Sequence, residues 1–154
     1  MLLDGCNLAH FACHGYADPV EPANSALLLG CGSAVEKLSV GDLDSIKHGL
    51  AQVAYLSACS TAEIKVHSLV DESIHLASTF QLVGFRHVVG TLWGAEDRAA
   101  IAIAGQFYKG LLESPEDGDI SVAYALHDSV ISLRNSNEGD KEILGWAPFV
   151  HIGP

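Results

Sequence analysis

Three short apolar runs punctuate the chain, at Leu8–His14, Val53–Ala58 and His87–Leu92. Each is only a few residues long and apolar at consecutive positions, the pattern of a strand buried on both faces. Between them lies a pair of shorter runs, Ala26–Leu29 and Ala34–Leu38, flanking Gly30-Cys31-Gly32-Ser33. That arrangement predicts a hairpin. The stretch before it, Gly15 to Ser25, is rich in turn formers and predicts a loop.

The helical period appears elsewhere. Ser39 stands where it can cap a short helix running through Ile46. Val70–Val83 predicts a helix with Ile74, Ala77 and Gln81 on one side and Leu76, Phe80 and Val83 beside them. Gly84 suits its C-terminus. Glu96–Leu112 repeats Ile101, Ala104, Tyr108 and Leu111 at helical spacing, and Ile120–Leu133 repeats Val122, Leu126, Val130 and Leu133. Residues 134–145 read as a polar loop, and Ala147–Ile152 as a closing strand.

Strands alternating with helices predict an α/β fold with a mainly parallel sheet covered on both faces. In such sheets the site lies beyond the carboxyl ends of the strands. His14 ends the first predicted strand, and Cys59 follows the second. A histidine in an apolar run costs desolvation unless it is hydrogen-bonded. His10 is therefore expected to be a core or interface histidine with a partner, and His14 to be delivered to the edge of a site.

Length and composition narrow the classes. The 154 residues predict one domain, spanning 1–154, large enough to bury about 68–70% of its unfolded surface without staples. With 8 basic against 19 acidic residues, the formal charge is −11. Such a surface repels phosphate backbones and anionic lipid, which argues against nucleic-acid and membrane partners. No apolar run is long enough for a membrane span, and no basic, apolar leader opens the chain. The four cysteines, Cys6, Cys13, Cys31 and Cys59, are then expected to be reduced thiols in the cytoplasm.

No metal is expected. Cys6, His10 and His14 would share a strand face, but in steps of about 13 Å, whereas ligands of one zinc each lie about 2.0–2.3 Å from the metal. Gly30-Cys31-Gly32 lacks the third glycine and the following helix of a dinucleotide loop. A G-x-S-x-G elbow and a Walker A sequence are both absent from the chain, and no cofactor is expected. Nucleophilic catalysis fits better. Gly15 after His14 permits close backbone approach, and Ser60-Thr61 after Cys59 forms a turn with available amides. Cys59 lies 45 residues after His14, near the offset of about 50 between histidine and cysteine in caspases.

At these residues a resemblance enters. Leu8–Gly15, Tyr55-Leu56-Ser57-Ala58-Cys59-Ser60-Thr61, Gly84–Trp93 and Trp146–Gly153 together resemble the CHAT domain, especially its fungal members. The likeness covers nearly the whole chain. It implies a caspase-like three-layer sandwich related to separases, often attached to tetratricopeptide-like repeats. Only Met1–Asn7 precede the histidine strand here, so the resemblance implies that the N-terminal strands of the fold are absent and one sheet edge is uncovered. By the same resemblance, His14 is the base and Cys59 the nucleophile of a cysteine peptidase. The amides of Gly15 and Cys59 form its oxyanion hole.

Trp93-Gly94-Ala95-Glu96-Asp97 is similar to the separase stretch in which an aspartate four residues after the tryptophan pairs with a basic P1 side chain. Asp97, with Trp93, is thus the expected substrate-binding element; a helix N-terminal aspartate favouring the dipole is the equal alternative. Arg86, Arg98 and Arg134 are the only arginines, and none lies in the loops directly after His14 or Cys59, whereas Asp18 and Glu63 do. Cleavage after a basic residue is the expectation. The rival class is a non-catalytic interaction or regulatory module, with a purely structural domain of a repeat protein as a third.

Overall fold

The computed structural model describes residues 6–16, 18, 20–21, 24–31, 34–39, 41–42, 52–57, 76–82, 84–113, 119–136 and 143–154. Seven strands are described: β1 Leu8–Phe11, β2 His14–Tyr16, β3 Ala26–Cys31, β4 Ala34–Ser39, β5 Val53–Leu56, β6 His87–Thr91 and β7 Phe149–Ile152. They form a four-stranded sheet of order β1-β5-β6-β7 and a three-stranded sheet of order β2-β3-β4. In the larger sheet β1, β5 and β6 run parallel and β7 closes it antiparallel. The fold is α/β with a mainly parallel sheet, as the sequence predicts.

Two apolar clusters, one on each face of that sheet, explain the unbroken apolar runs. Val53, Tyr55 and Val89 pack against Ile103, Phe107, Val122, Ala125 and Leu126, so the Asp97–Glu113 and Asp119–Arg134 helices cover one face. Ala9, Ala54, Leu56 and Val88 pack against Leu27, Ala77, Phe80 and Phe85 on the other. That second layer combines the 76–82 helix with the small antiparallel sheet that contains the predicted hairpin. All four residues of β5 are buried. A strand in the middle of a sandwich has no solvent face, and so no alternation.

Several boundaries move. The first run is not one strand: β1 stops at Phe11, and His14 begins β2, pairing antiparallel with β3 in register His14 with Leu28. The break falls at Ala12 and Cys13, where the chain leaves one sheet for the other. Gly15 and Tyr16 consequently belong to a strand rather than to the predicted loop. Part of the predicted 134–145 loop is the short helix Ile143–Trp146. The Asp97–Glu113 helix buries Ala99, Ile103 and Phe107, while Ile101 is 73% exposed. The apolar period therefore holds, but the core face lies one step round from Ile101.

Local signals explain two of the helix ends. The amide of Asp42 donates to Ser39 Oγ at 3.1 Å and the amide of Ser39 to Asp42 Oδ2 at 3.0 Å, a reciprocal cap. The rest of that predicted helix, through Ile46, lies outside the described residues. At the end of the 76–82 helix, Phe85 N–H donates to Phe80 O at 3.1 Å and Gly84 N–H to Gln81 O at 3.0 Å. Gly84 has φ 121°, and the Phe80 and Phe85 rings meet at 5.7 Å. This is the Schellman closure with its apolar contact. Residues 70–75 and Val83 of the predicted helix fall outside the description.

Candidate active site

Because β1, β5 and β6 are parallel, the segments that follow them leave the sheet at the same end. After β1 comes His14, after β5 come Ser57 and the sequence leading to Cys59, and after β6 come Trp93 and Asp97. His14 is exposed and Gly15 half-buried. Cys59 lies outside the described residues, as do Glu63 and the turn Ser60-Thr61.

The neighbouring thiol faces the other way. Cys13 packs against the core cluster that contains Ala9 and Leu27, and burial pushes its pKa above the ordinary thiol value. A thiol that stays protonated is a poor nucleophile. Cys6 and Cys13 are both free.

Trp93 is half-buried, and its Nε1–H donates to Leu144 O at 3.3 Å, tying the segment after β6 to the Ile143–Trp146 helix. Asp97 is exposed and is the first residue of its helix, the position where a carboxylate favours the dipole. Asp18 serves its own loop. Its Oδ1 accepts the amides of Val20 and Glu21 at 3.0 Å each, and the Glu21 amide, followed by that of Val20, holds its pKa below the usual carboxylate value. Of the arginines, Arg86 and Arg98 are exposed, and Arg134 lies over the Trp146 ring at 5.5 Å.

His10 does have the expected partner, but it is exposed rather than buried. Its Nε2 lies 2.8 Å from Ser57 Oγ, and its ring meets those of Tyr55 at 4.9 Å and Tyr108 at 5.7 Å. Partial burial under those rings lowers its pKa from the ordinary 6.5. The reason for the exposure is topological: β1 is the edge strand of its sheet among the described residues. Sequence reasoning missed Ser57. Its signal was a serine inside the apolar run Val53–Ala58, two residues before Cys59, but nothing in the pattern gives the register that sets it beside His10.

A second histidine pair also escaped the pattern. His87 Nδ1 and His151 Nε2 are 3.0 Å apart, with the rings stacked at 5.3 Å. Gly153 lies close enough that a Cβ there would come within 2.9 Å of both nitrogens.

A mainly parallel sheet sandwiched between two covering layers is compatible with a caspase-like α/β sandwich. The chain belongs to the CHAT domain family, whose model matches residues 2–154. That family is caspase-like and related to cysteine peptidases. The comparison with curated proteins returned no match. Among the described residues, no helix is long and apolar enough to cross a membrane.

Proposed function

We propose that this protein is a caspase-like cysteine endopeptidase in which His14 activates Cys59. The observation that carries the reading is the contrast across Ala12 to Tyr16. His14 is exposed just past the carboxyl end of β1, while Cys13 is turned into the core. The strand that leads to Cys59, β5, lies directly beside β1 with Phe11 opposite Leu56.

The chemistry follows from the residue types. A thiol with a reference pKa of about 8.5 is only a few per cent ionised at pH 7. His14 takes the proton as Sγ of Cys59 attacks the scissile carbonyl carbon, and the negative charge moves to the carbonyl oxygen. The amides of Gly15 and Cys59 receive that oxyanion. Collapse expels the amine, protonated by the imidazolium, and leaves a thioester. Water, deprotonated by His14, then releases the acid. The base contributes about 10²–10⁴-fold and each oxyanion donor about 10²–10³-fold.

The substrate is a protein or peptide cut after a basic P1 residue, with Asp97 accepting its side chain and Trp93 shaping the segment that presents it. The exposed carboxylate at the start of the helix following β6 supports this.

Labelling with an arginyl peptide carrying a thiol-directed electrophile tests the reading. Selective capture of Cys59, lost in Cys59→Ala and in His14→Ala but kept in Cys13→Ala, is expected. Equal capture of Cys6 or Cys13, or capture indifferent to His14, would favour the non-catalytic interaction module instead.

A further inference from the structure

His10 and Ser57 stand at the exits of the two strands that lead to the dyad. His10 is four residues before His14, and Ser57 two before Cys59. Two bonds tie Ser57 to β1: Ser57 N–H donates to Phe11 O at 3.0 Å, and Ser57 Oγ lies 2.8 Å from His10 Nε2. The first continues the parallel ladder by one residue beyond β5. The second is a side-chain bond on an exposed edge, where nothing in the ladder requires it. Tyr55 meets the His10 ring edge-on, at 61° between planes, and Tyr108 meets it tilted at 46°. Among the described residues neither phenolic hydroxyl has a hydrogen-bond partner, and the two tyrosines meet His10 through their rings. They hold the ring's plane while Ser57 holds its Nε2.

We infer that the His10–Ser57 bond is a clamp fixing the direction in which the chain leaves β5, and hence the approach of Cys59 to His14. Both are positioning residues for the reaction proposed above, and the inference rests on that reading. With backbone and side chain of Ser57 both tied to β1, the residue two before Cys59 is held at a fixed point on the strand that leads to His14. Reactions of this kind are sensitive to such placement, since a misplacement of about 1 Å costs about 10²-fold.

The test is the pH profile of Cys59 alkylation by iodoacetamide, a small neutral probe that needs no specificity pocket. Folding is followed in parallel by circular dichroism. In the wild type, alkylation should persist well below the ordinary thiol pKa and should depend on His14. Ser57→Ala is expected to shift the profile to that of a free thiol and to slow the reaction at pH 7 by about 10–100-fold. His10→Phe keeps a ring against the tyrosines but removes the nitrogen, and should behave the same. His10→Gln, which can still bond Ser57, should recover most of the rate. Combining Ser57→Ala with His10→Phe should cost no more than either alone.

A His14-dependent profile unchanged by both Ser57→Ala and His10→Phe would overturn the clamp and leave the dyad standing. A wild-type profile already that of a free thiol, and unaltered in His14→Ala, would overturn the dyad and the clamp with it.

Discussion

Among the described residues the buried phenolic hydroxyls of Tyr55 and Tyr108 have no partner, and burial raises both pKa values, that of Tyr108 to about 12. An orphan buried hydroxyl costs about 1–3 kcal/mol of desolvation. Tyr55→Phe keeps the ring against His10 and Phe107, and is expected to raise stability by about 1 kcal/mol. A urea titration reads this directly, and a lowered midpoint would mean that the hydroxyl has a partner after all. The sequence marks these residues as core by their spacing. It cannot say which tyrosine reaches water, because that depends on what the opposite layer places over each hydroxyl.

Elements contribute through their ends and their pairings. Gly84 closes the 76–82 helix at φ 121°, a conformation that costs a side-chain-bearing residue about 1–3 kcal/mol. Gly84→Ala should lower the unfolding free energy by about that amount, checked by denaturant midpoint at constant slope. Strands β6 and β7 are joined by the His87–His151 contact as well as by their ladder. Burial, and then the proximity of His87, lowers the pKa of His151 below its ordinary 6.5. Burial lowers that of His10 in the same sense. The unfolded chain therefore takes up these protons at higher pH than the folded one. Their contribution to stability is complete above about pH 6.5 and is lost as the pH falls through the folded values. His151→Gln should flatten that acid limb of the stability profile, and an unchanged limb would assign it to other groups. The glycine signal was legible in the sequence because it is local. The histidine pair was not, since 64 residues separate its members.

For the whole molecule, the charge of −11 bears on the proposed substrate. A basic peptide approaching an acidic protein is steered, so kcat/KM should fall as ionic strength rises and the Debye length shrinks from about 10 Å at 0.1 M to about 3 Å at 1 M. Asp97→Asn removes one charged hydrogen bond of about 1.5–3 kcal/mol and should lower turnover of Arg or Lys substrates about 10–100-fold. Iodoacetamide labelling of Cys59 should be nearly unchanged in that variant. A peptide library preferring aspartate or leucine at P1 would overturn the Asp97 assignment. The sequence by itself determined the alternation of strands and helices, the parallel character of the main sheet, the hairpin, the caps at Ser39 and Gly84, and the family. Each is carried by local pattern or by short motifs read in order. Only the tertiary structure decided that the run from Leu8 to His14 divides between two sheets, that Ile101 faces solvent, and that His10 meets Ser57. These depend on which segments become neighbours. Apolar periodicity says that a face is buried, but not against what, and register across parallel strands is fixed by packing between residues far apart in the chain.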